Sequence, residues 1–338
     1  MLPRIFVGGT GRSCTWRLYK TLGNHKDVHT FPAEMRFTID PGGLMDLYDA
    51  LTTRYAPIHS RSAIIRFERL MRVHVATPGT RPYARLNFPE WLGGEAYERR
   101  LDQFLDAVIE AEFDSKFAKR ENHDGRLVRF ARRLQAMRNQ VQGDEENEAP
   151  DFHRDTLPVA RYFSDPEALA AVMAAFVDDI FMQGARQHGK QTWCEKTPQH
   201  LLHLSFIWQL FPDSVFIHIK RDPRGVVNSL TQQPWAPSDL RNAAFFLRNI
   251  YQRWLDLKPT LNLEERNYLE IKLEDLALST DKHLHDVMAL CQLDGAFTEI
   301  PDIDIARVDY WKNKMTTEEI ALVNEILGPQ ILEMGYEL

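Results

Sequence analysis

Apolar positions along this chain follow two periods, and the switches between them mark its elements. Ile5-Phe6-Val7 is a short β-branched and aromatic run that ends in Gly8-Gly9-Thr10-Gly11. Over residues 13–22 the spacing turns helical, with Trp16 and Tyr19 or Lys20 on neighbouring turns. Strand, glycine loop and helix in that order open an α/β unit. Residues 28–31 give a second short strand that stops at Pro32, and residues 44–139 read as mostly helical, broken at Pro57, at 78–82 and at 91–94. Residues 143–158 are acidic and poor in apolar side chains, so they read as a loop and a subdomain edge.

Asp165-Pro166 then starts a strong helix, with an acid at the cap and proline at the first helical position. Leu169, Val172, Met173, Phe176, Val177, Ile180 and Phe181 form its apolar stripe, and Gly184 and Gly189 mark its expected end. Strands follow at 191–194, at Ser214-Val215-Phe216-Ile217-His218-Ile219 and at 268–271, with helices at 199–210, from Asp222-Pro223, at 280–292 and at 316–327. The alternation predicts an α/β fold: a central, mainly parallel β-sheet flanked by helices. We expect one domain over 1–338, with residues 44–158 as a large, mostly helical insertion.

Composition narrows the class. At 44% hydrophobic and 26% charged residues, the chain matches soluble globular proteins rather than a fibre or a disordered tract. Cys14, Cys194 and Cys291 lie far apart with no CxxC spacing, which excludes a disulfide framework and a cysteine zinc site and points to a reducing compartment. The opening residues carry no cationic segment followed by a long apolar one, and no window is read as a bilayer span, so the expectation is a cytoplasmic protein. The formal net charge of −7 disfavours nucleic acid as the main partner. The motifs that carry chemistry are nevertheless basic.

Three of these lie at strand ends. Gly8-Gly9-Thr10-Gly11-Arg12-Ser13-Cys14-Thr15 joins a strand to a helix, where backbone amides can wrap an anion. It departs from the nucleotide P-loop, because Cys14 stands at the last glycine and no lysine precedes Thr15. On its own it is either a phosphate cradle or a bare turn. In Arg221-Asp222-Pro223-Arg224 and the helix behind it, Ser229 lies seven residues after Asp222 and returns to the helix face where Arg221 ends its strand. An arginine with a hydroxyl suits phosphate, although a solvated basic helix start is the plain alternative. In Glu195-Lys196-Thr197-Pro198, the lysine is a surface charge or a site cation.

Taken together, these motifs resemble the PAPS-dependent sulfotransferases, and most closely the bacterial and tyrosylprotein-like branch with its Glu/Asp-Lys-Thr/Ser-Pro motif. Leu273-Glu274-Asp275-Leu276, Trp311-Lys312 and Met334-Gly335-Tyr336 extend the likeness, which covers residues 3–40 and about 160–338. The resemblance implies a P-loop-type sulfotransferase fold related to nucleotide kinases. It implies 3′-phosphoadenosine 5′-phosphosulfate (PAPS) as donor, adenosine 3′,5′-bisphosphate (PAP) as product, and no metal.

Carried over by position, Gly9, Thr10, Gly11, Arg12, Ser13, Cys14, Thr15 and Trp16 would hold the 5′-phosphosulfate, and Arg221 and Ser229 the 3′-phosphate. Trp311 and Lys312 would belong to a loop that covers the cofactor. Lys196 and Arg12 would stabilise the leaving phosphate. Glu34 in Pro32-Ala33-Glu34-Met35-Arg36 would be the general base, with Arg36 beside it toward the substrate. Cys14 and Trp16 stand where the family has a glycine and a second hydroxyl, and Cys14 at a helix N-terminus is expected to have a lowered pKa.

The acceptor is a hydroxyl on a small molecule, a sugar or a peptide, and the insertion is expected to cover its site. Trp91, Phe88, Tyr97, Phe152 and Tyr162 either line that site or pack a core. A nucleotide-dependent kinase on the related fold and a non-catalytic PAPS- or phosphate-binding protein are the rival readings. His200 and His203 share a face with no further ligand at metal spacing, so they read as surface or supporting residues. Residues 126–138, with Leu127, Phe130, Leu134 and Met137 on one side, form a cationic amphipathic stretch that reads as a packed helix with solvated charges.

Overall fold

The computed structural model describes residues 2–76, 94–114, 154, 156–300 and 308–338. In chain order these form β1 (Ile5–Gly8), α1 (Thr15–Gly23), β2 (Val28–Thr30), α2 (Leu44–Leu51), α3 (Pro57–Arg69), α4 (Gly94–Val108), β3 (Ile109–Phe113), β4 (Leu157–Ala160) and α5 (Pro166–Gln187). After them come β5 (Thr192–Glu195), α6 (Leu204–Leu210), β6 (Val215–Lys220), α7 (Pro223–Leu230), α8 (Leu240–Leu257) and β7 (Tyr268–Lys272). The chain closes with α9 (Leu273–Leu278), α10 (Thr280–Leu290), α11 (Tyr310–Lys314) and α12 (Thr317–Glu333). It divides into two compact units, one of Met1–Glu34 with Ala185–Leu338 and one of Met35–Gly184.

The first unit holds a five-stranded sheet in the order β2-β5-β1-β6-β7, every neighbouring pair parallel. A parallel strand is covered on both faces and so must be apolar throughout. Ile5, Phe6 and Val7 of β1 and Val215, Phe216, Ile217 and Ile219 of β6 are accordingly all buried. Leu18, Tyr19 and Leu22 of α1 and Leu284 and Val287 of α10 pack into the same core. At α7 the Asp222 side chain accepts the Arg224 amide while Pro223 fills the first helical position, the start that Asp222-Pro223 encodes. Because β1, β5 and β6 are adjacent and parallel, their carboxyl ends, and the loops that follow them, open on one edge of the sheet.

The second unit contains α2 to α4, most of α5, and an antiparallel pair of β3 and β4. A one-turn π-helix, Leu70–Val75, continues α3. β3 is a strand within the 44–139 stretch that the sequence predicts to be mostly helical, at a place where no break is expected. Glu110 and Glu112 alternate along it and bind Arg161 and Arg154, so cross-strand charge pairs rather than an apolar period mark this strand. Tyr97 is core, its hydroxyl donating to the Met71 carbonyl, whereas Tyr162 is exposed and rests against Tyr55. Trp91, Phe88, Phe152, the stretch 126–138 and nearly all of 143–158 lie outside the described residues.

α5 departs from its expected end. It runs through Gly184 to Gln187, and Gly189 at φ 67° is the residue that stops it. The Lys190 amide reaches back to the Ala185 carbonyl at 2.9 Å, the closure of a glycine-terminated helix. α5 is also long and apolar enough to cross a membrane by length and composition, which the sequence reading did not flag. Its stripe of Leu169, Met173, Phe176, Val177, Ile180 and Phe181 is buried in the protein, and Asp179 pairs with Arg100 at 3.0 Å.

Candidate active site

The glycine loop leaves β1 and turns through three successive constraints. Gly11, Arg12 and Cys14 all have positive φ, at 88°, 55° and 64°, so the chain coils tightly before α1 begins at Thr15. A Cβ on Gly9 would lie 2.5 Å from the Ile219 carbonyl oxygen and 2.8 Å from Ser13 Oγ, so only glycine fits there. Ser13 is fully buried, and its hydroxyl has no hydrogen-bond partner among the described residues. A buried hydroxyl without a partner in such a loop keeps its donor available. Thr10 and Thr15 are buried beside it in the sequence, while Trp16 is 42% exposed.

The Glu-Lys-Thr-Pro turn follows β5. The Gly9 amide donates to the Pro198 carbonyl at 3.1 Å, so this turn and the glycine loop are joined. Lys196 Nζ lies 2.5 Å from Glu34 Oε1 and 5.4 Å from the centre of the Trp16 ring. Glu34 arrives on the segment after β2. Three residues far apart in the sequence, Glu34, Lys196 and Trp16, therefore supply a carboxylate, an ammonium and an exposed indole to one place. Arg36 is not among them; it binds Asp40 within the second unit, at 2.9 and 3.1 Å.

At the end of β6, Arg12 Nε donates to Ser229 Oγ at 2.9 Å, and Arg221 donates to the Arg12 carbonyl at 3.3 Å and to the Val308 carbonyl at 2.7 Å. The residue pair expected at a 3′-phosphate thus meets the arginine of the glycine loop. Burial chiefly, and then the nearby Arg221, lower the Arg12 pKa. The expected depression of the Cys14 thiol does not occur: burial raises its pKa, outweighing Arg17, Arg221 and Arg12.

Trp311 is buried under the Arg224 guanidinium, 4.7 Å from its ring centre, and Lys312 is tied to Asp309 at 2.9 Å. Gly225 is the residue that admits Trp311, since a Cβ there would be 2.8 Å from Trp311 Cδ1 and 3.0 Å from Arg221 Nε. The sequence reading missed it, although a glycine in the first turn of a helix is a visible cost. The other two likenesses converge behind the Arg-Asp-Pro-Arg turn. Glu274 accepts the Asp222 amide and the Tyr336 hydroxyl, both at 3.0 Å, and Arg224 donates to the Glu337 carbonyl at 2.7 Å.

His200 is not a surface residue. It is fully buried, with Nδ1 2.9 Å from Glu195 Oε2 and Phe6 packed edge-on against its ring at 5.6 Å. Among the described residues no three His, Cys, Asp or Glu side chains group as metal ligands.

The sequence profile described as the sulfotransferase family matches residues 100–299. A comparison with curated proteins gives no match. Among solved structures, the chain is similar to the sulfotransferase domain of the Synechococcus PCC 7002 olefin synthase, at 18% identity and a TM-score of 0.47, covering 99% of this chain and 95% of that one. It is also similar to the sulfotransferase domain from the curacin biosynthetic pathway, at 13% identity and a TM-score of 0.46, over 100% and 99% of the two chains. For sulfotransferase STF9 from Mycobacterium avium the values are 14% and 0.43, over 100% and 78%.

Proposed function

The chain belongs to the sulfotransferase family, and from that premise we propose that it transfers a sulfuryl group from PAPS to a hydroxyl acceptor, with Glu34 as general base. The observation that carries this reading is the contact of Glu34 with Lys196 beside a glycine loop whose buried Ser13 hydroxyl lacks a partner among the described residues.

The residues present fit the donor. The amides from Gly11 to Trp16, with the hydroxyls of Ser13 and Thr15, would hold its 5′-phosphosulfate, and Arg221 with Ser229 its 3′-phosphate, Arg12 lying between the two sets. When bound, PAPS supplies the sulfuryl group and leaves as PAP. Glu34 takes the proton of the acceptor hydroxyl as that oxygen attacks. The Lys196 ammonium, freed from Glu34 as that carboxylate is neutralised, turns its charge to the oxygen that becomes the leaving phosphate. Arg12 and the loop amides add fixed positive ends, so little reorganisation is needed as charge develops. Trp311 holds the Arg221 side of the site by packing.

Calorimetric binding of PAP and of ADP tests the reading. One charge-assisted hydrogen bond to a 3′-phosphate contributes about 1.5–3 kcal/mol, so PAP should bind at least about tenfold tighter than ADP. Equal affinity would favour a kinase-like nucleotide site and sink the proposal. With isotopically labelled donor and a panel of hydroxyl acceptors, Glu34→Ala should lose transfer while keeping PAP affinity. Transfer that survives this change would remove Glu34 as the base.

A further inference from the structure

The ion-pair face of the Glu-Lys-Thr-Pro turn is described above, but its buried face is a second, separate polar cluster. Glu195 is 1% exposed, whereas the next residue, Lys196, is half-buried and reaches Glu34. Its Oε1 accepts the hydroxyl of Thr197 at 2.7 Å, and its Oε2 meets Nδ1 of His200 at 2.9 Å. Thr197 and His200 are both fully buried. A carboxylate with so little access to water is costly unless its charge is met. Here Oε1 is hydrogen-bonded by Thr197, and Oε2 lies against the His200 imidazole in close contact without hydrogen-bond alignment.

The cluster spans the end of β5, the turn, and the start of the two turns of 3₁₀ helix at Pro198–His203. Lys196 sits in the middle of that span. Pro198, which follows Thr197, is the residue whose carbonyl receives the Gly9 amide of the loop. We propose that Glu195 and His200 are positioning residues: the imidazole fixes the carboxylate, the carboxylate fixes Thr197, and the clamp sets the direction in which Lys196 leaves the chain toward Glu34. The inference rests on the role proposed for Lys196 and adds two residues that touch no reacting atom.

A merely structural cluster and a positioning clamp differ in what an apolar replacement restores. Exchanging both members of a buried polar pair for apolar groups of like size is often neutral for stability, whereas removing one leaves the other unpaired. The test compares His200→Leu, the double variant Glu195→Leu/His200→Leu, and the conservative Glu195→Gln, whose amide still accepts from Thr197. Melting temperature reports stability. The rate at which an acetylating reagent modifies Lys196, located by mass spectrometry, reports whether its ammonium is still held by Glu34, and it needs no turnover.

We expect His200→Leu to lower the melting temperature and raise Lys196 modification severalfold. The double variant should recover the melting temperature while Lys196 stays exposed to the reagent, with PAPS turnover down by about a hundredfold, the cost of a misplaced catalytic group. Glu195→Gln should keep slow modification. Should His200→Leu fail to fold, the double variant carries the test alone. Unchanged Lys196 modification in the leucine variants, or its return to the native rate together with the melting temperature, overturns the proposal. A native chain that transfers nothing from PAPS, yet shows the expected modification pattern, keeps the clamp and removes the sulfotransfer reading.

Discussion

Adding one methyl group at Gly9 tests the glycine loop where its geometry is least forgiving. The Cβ of an alanine would stand 2.5 Å from the Ile219 carbonyl oxygen and 2.8 Å from Ser13 Oγ, both well inside the 3.4 Å at which ordinary contact begins. The carbonyl cannot retreat, because β6 is locked between β1 and β7 in register from Phe216 to His218. The loop must yield instead, carrying Ser13 and the amides behind it. Overpacking of this kind costs about 1–3 kcal/mol, and the same energy taken from anion contacts is about a five- to 150-fold loss of PAP affinity. Calorimetry with PAP reads the second effect and thermal melting the first. Gly189→Ala is the control for a strained glycine site: it forces a positive φ, at 67°, but meets nothing within 4 Å. It should cost about 1–2 kcal/mol of stability and leave PAP affinity alone. If Gly9→Ala lowers the melting temperature as Gly189→Ala does and still binds PAP within about twofold of the native chain, where twofold is a small fraction of the 1.4 kcal/mol per decade, the loop is not the anion cradle.

Three further outcomes follow from the same coordinates. Lys196→Met should lower the rate of transfer by about 10²–10³, the usual loss for one preorganised charge, with PAP affinity little changed; a loss confined to PAP affinity would move Lys196 from chemistry to binding. Burial, then His188 and Lys190, depress His29 from 6.5 to about 4, so between those pH values the unfolded chain binds a proton that the folded chain refuses. Stability therefore falls as pH drops through that window, and His29→Gln should flatten part of the decline in melting temperature between pH 7 and 5; an equal decline in both proteins contradicts the assignment. Because burial raises the Cys14 thiol, little thiolate forms at pH 7.5 and disulfide reagents should label it slowly until the chain unfolds, whereas fast labelling of native Cys14 would contradict that direction.

What could be read from the sequence was what a local pattern dictates. Val215-Phe216-Ile217 had to be a buried strand because it is apolar on every position, and Asp222-Pro223 had to start a helix because acid and proline satisfy its first turn. The stretch 199–210 has helical spacing, yet it splits at His203 into a 3₁₀ turn and α6, because the buried contact of His200 with Glu195 fixes the first half. That contact is between residues whose types alone suggest surface charge, and only the parallel pairing of Phe6 with Glu195 puts the acid in the interior. Cys14 went wrong for a related reason. Helix position lowers a thiol, but how deeply a loop buries it is a tertiary property. Glu34 and Lys196 were each named from motifs 162 residues apart; the 2.5 Å between them depends on the strand order β2-β5-β1, which no local pattern specifies.

The chain is acidic overall, at −7, while the charges that meet in this site are mostly cations. The two facts are compatible because the acids are spent elsewhere: Glu68, Glu98, Asp102 and Glu112 pair with Arg72 and Arg154 in the second unit, and Glu270 takes Lys220 and Lys258 on the far strands of the sheet. Arg12 has no carboxylate partner among the described residues; its bond is to the neutral hydroxyl of Ser229, and Arg221 lies close enough to lower its pKa. On the proposed function a polyanion would lie against these cations, and because Arg12 is exposed, added salt should weaken its binding. Net charge describes how the protein repels other macromolecules in solution. On the proposed function, the choice of anion would fall to Arg12 and Arg221, which the loops after β1 and β6 bring together.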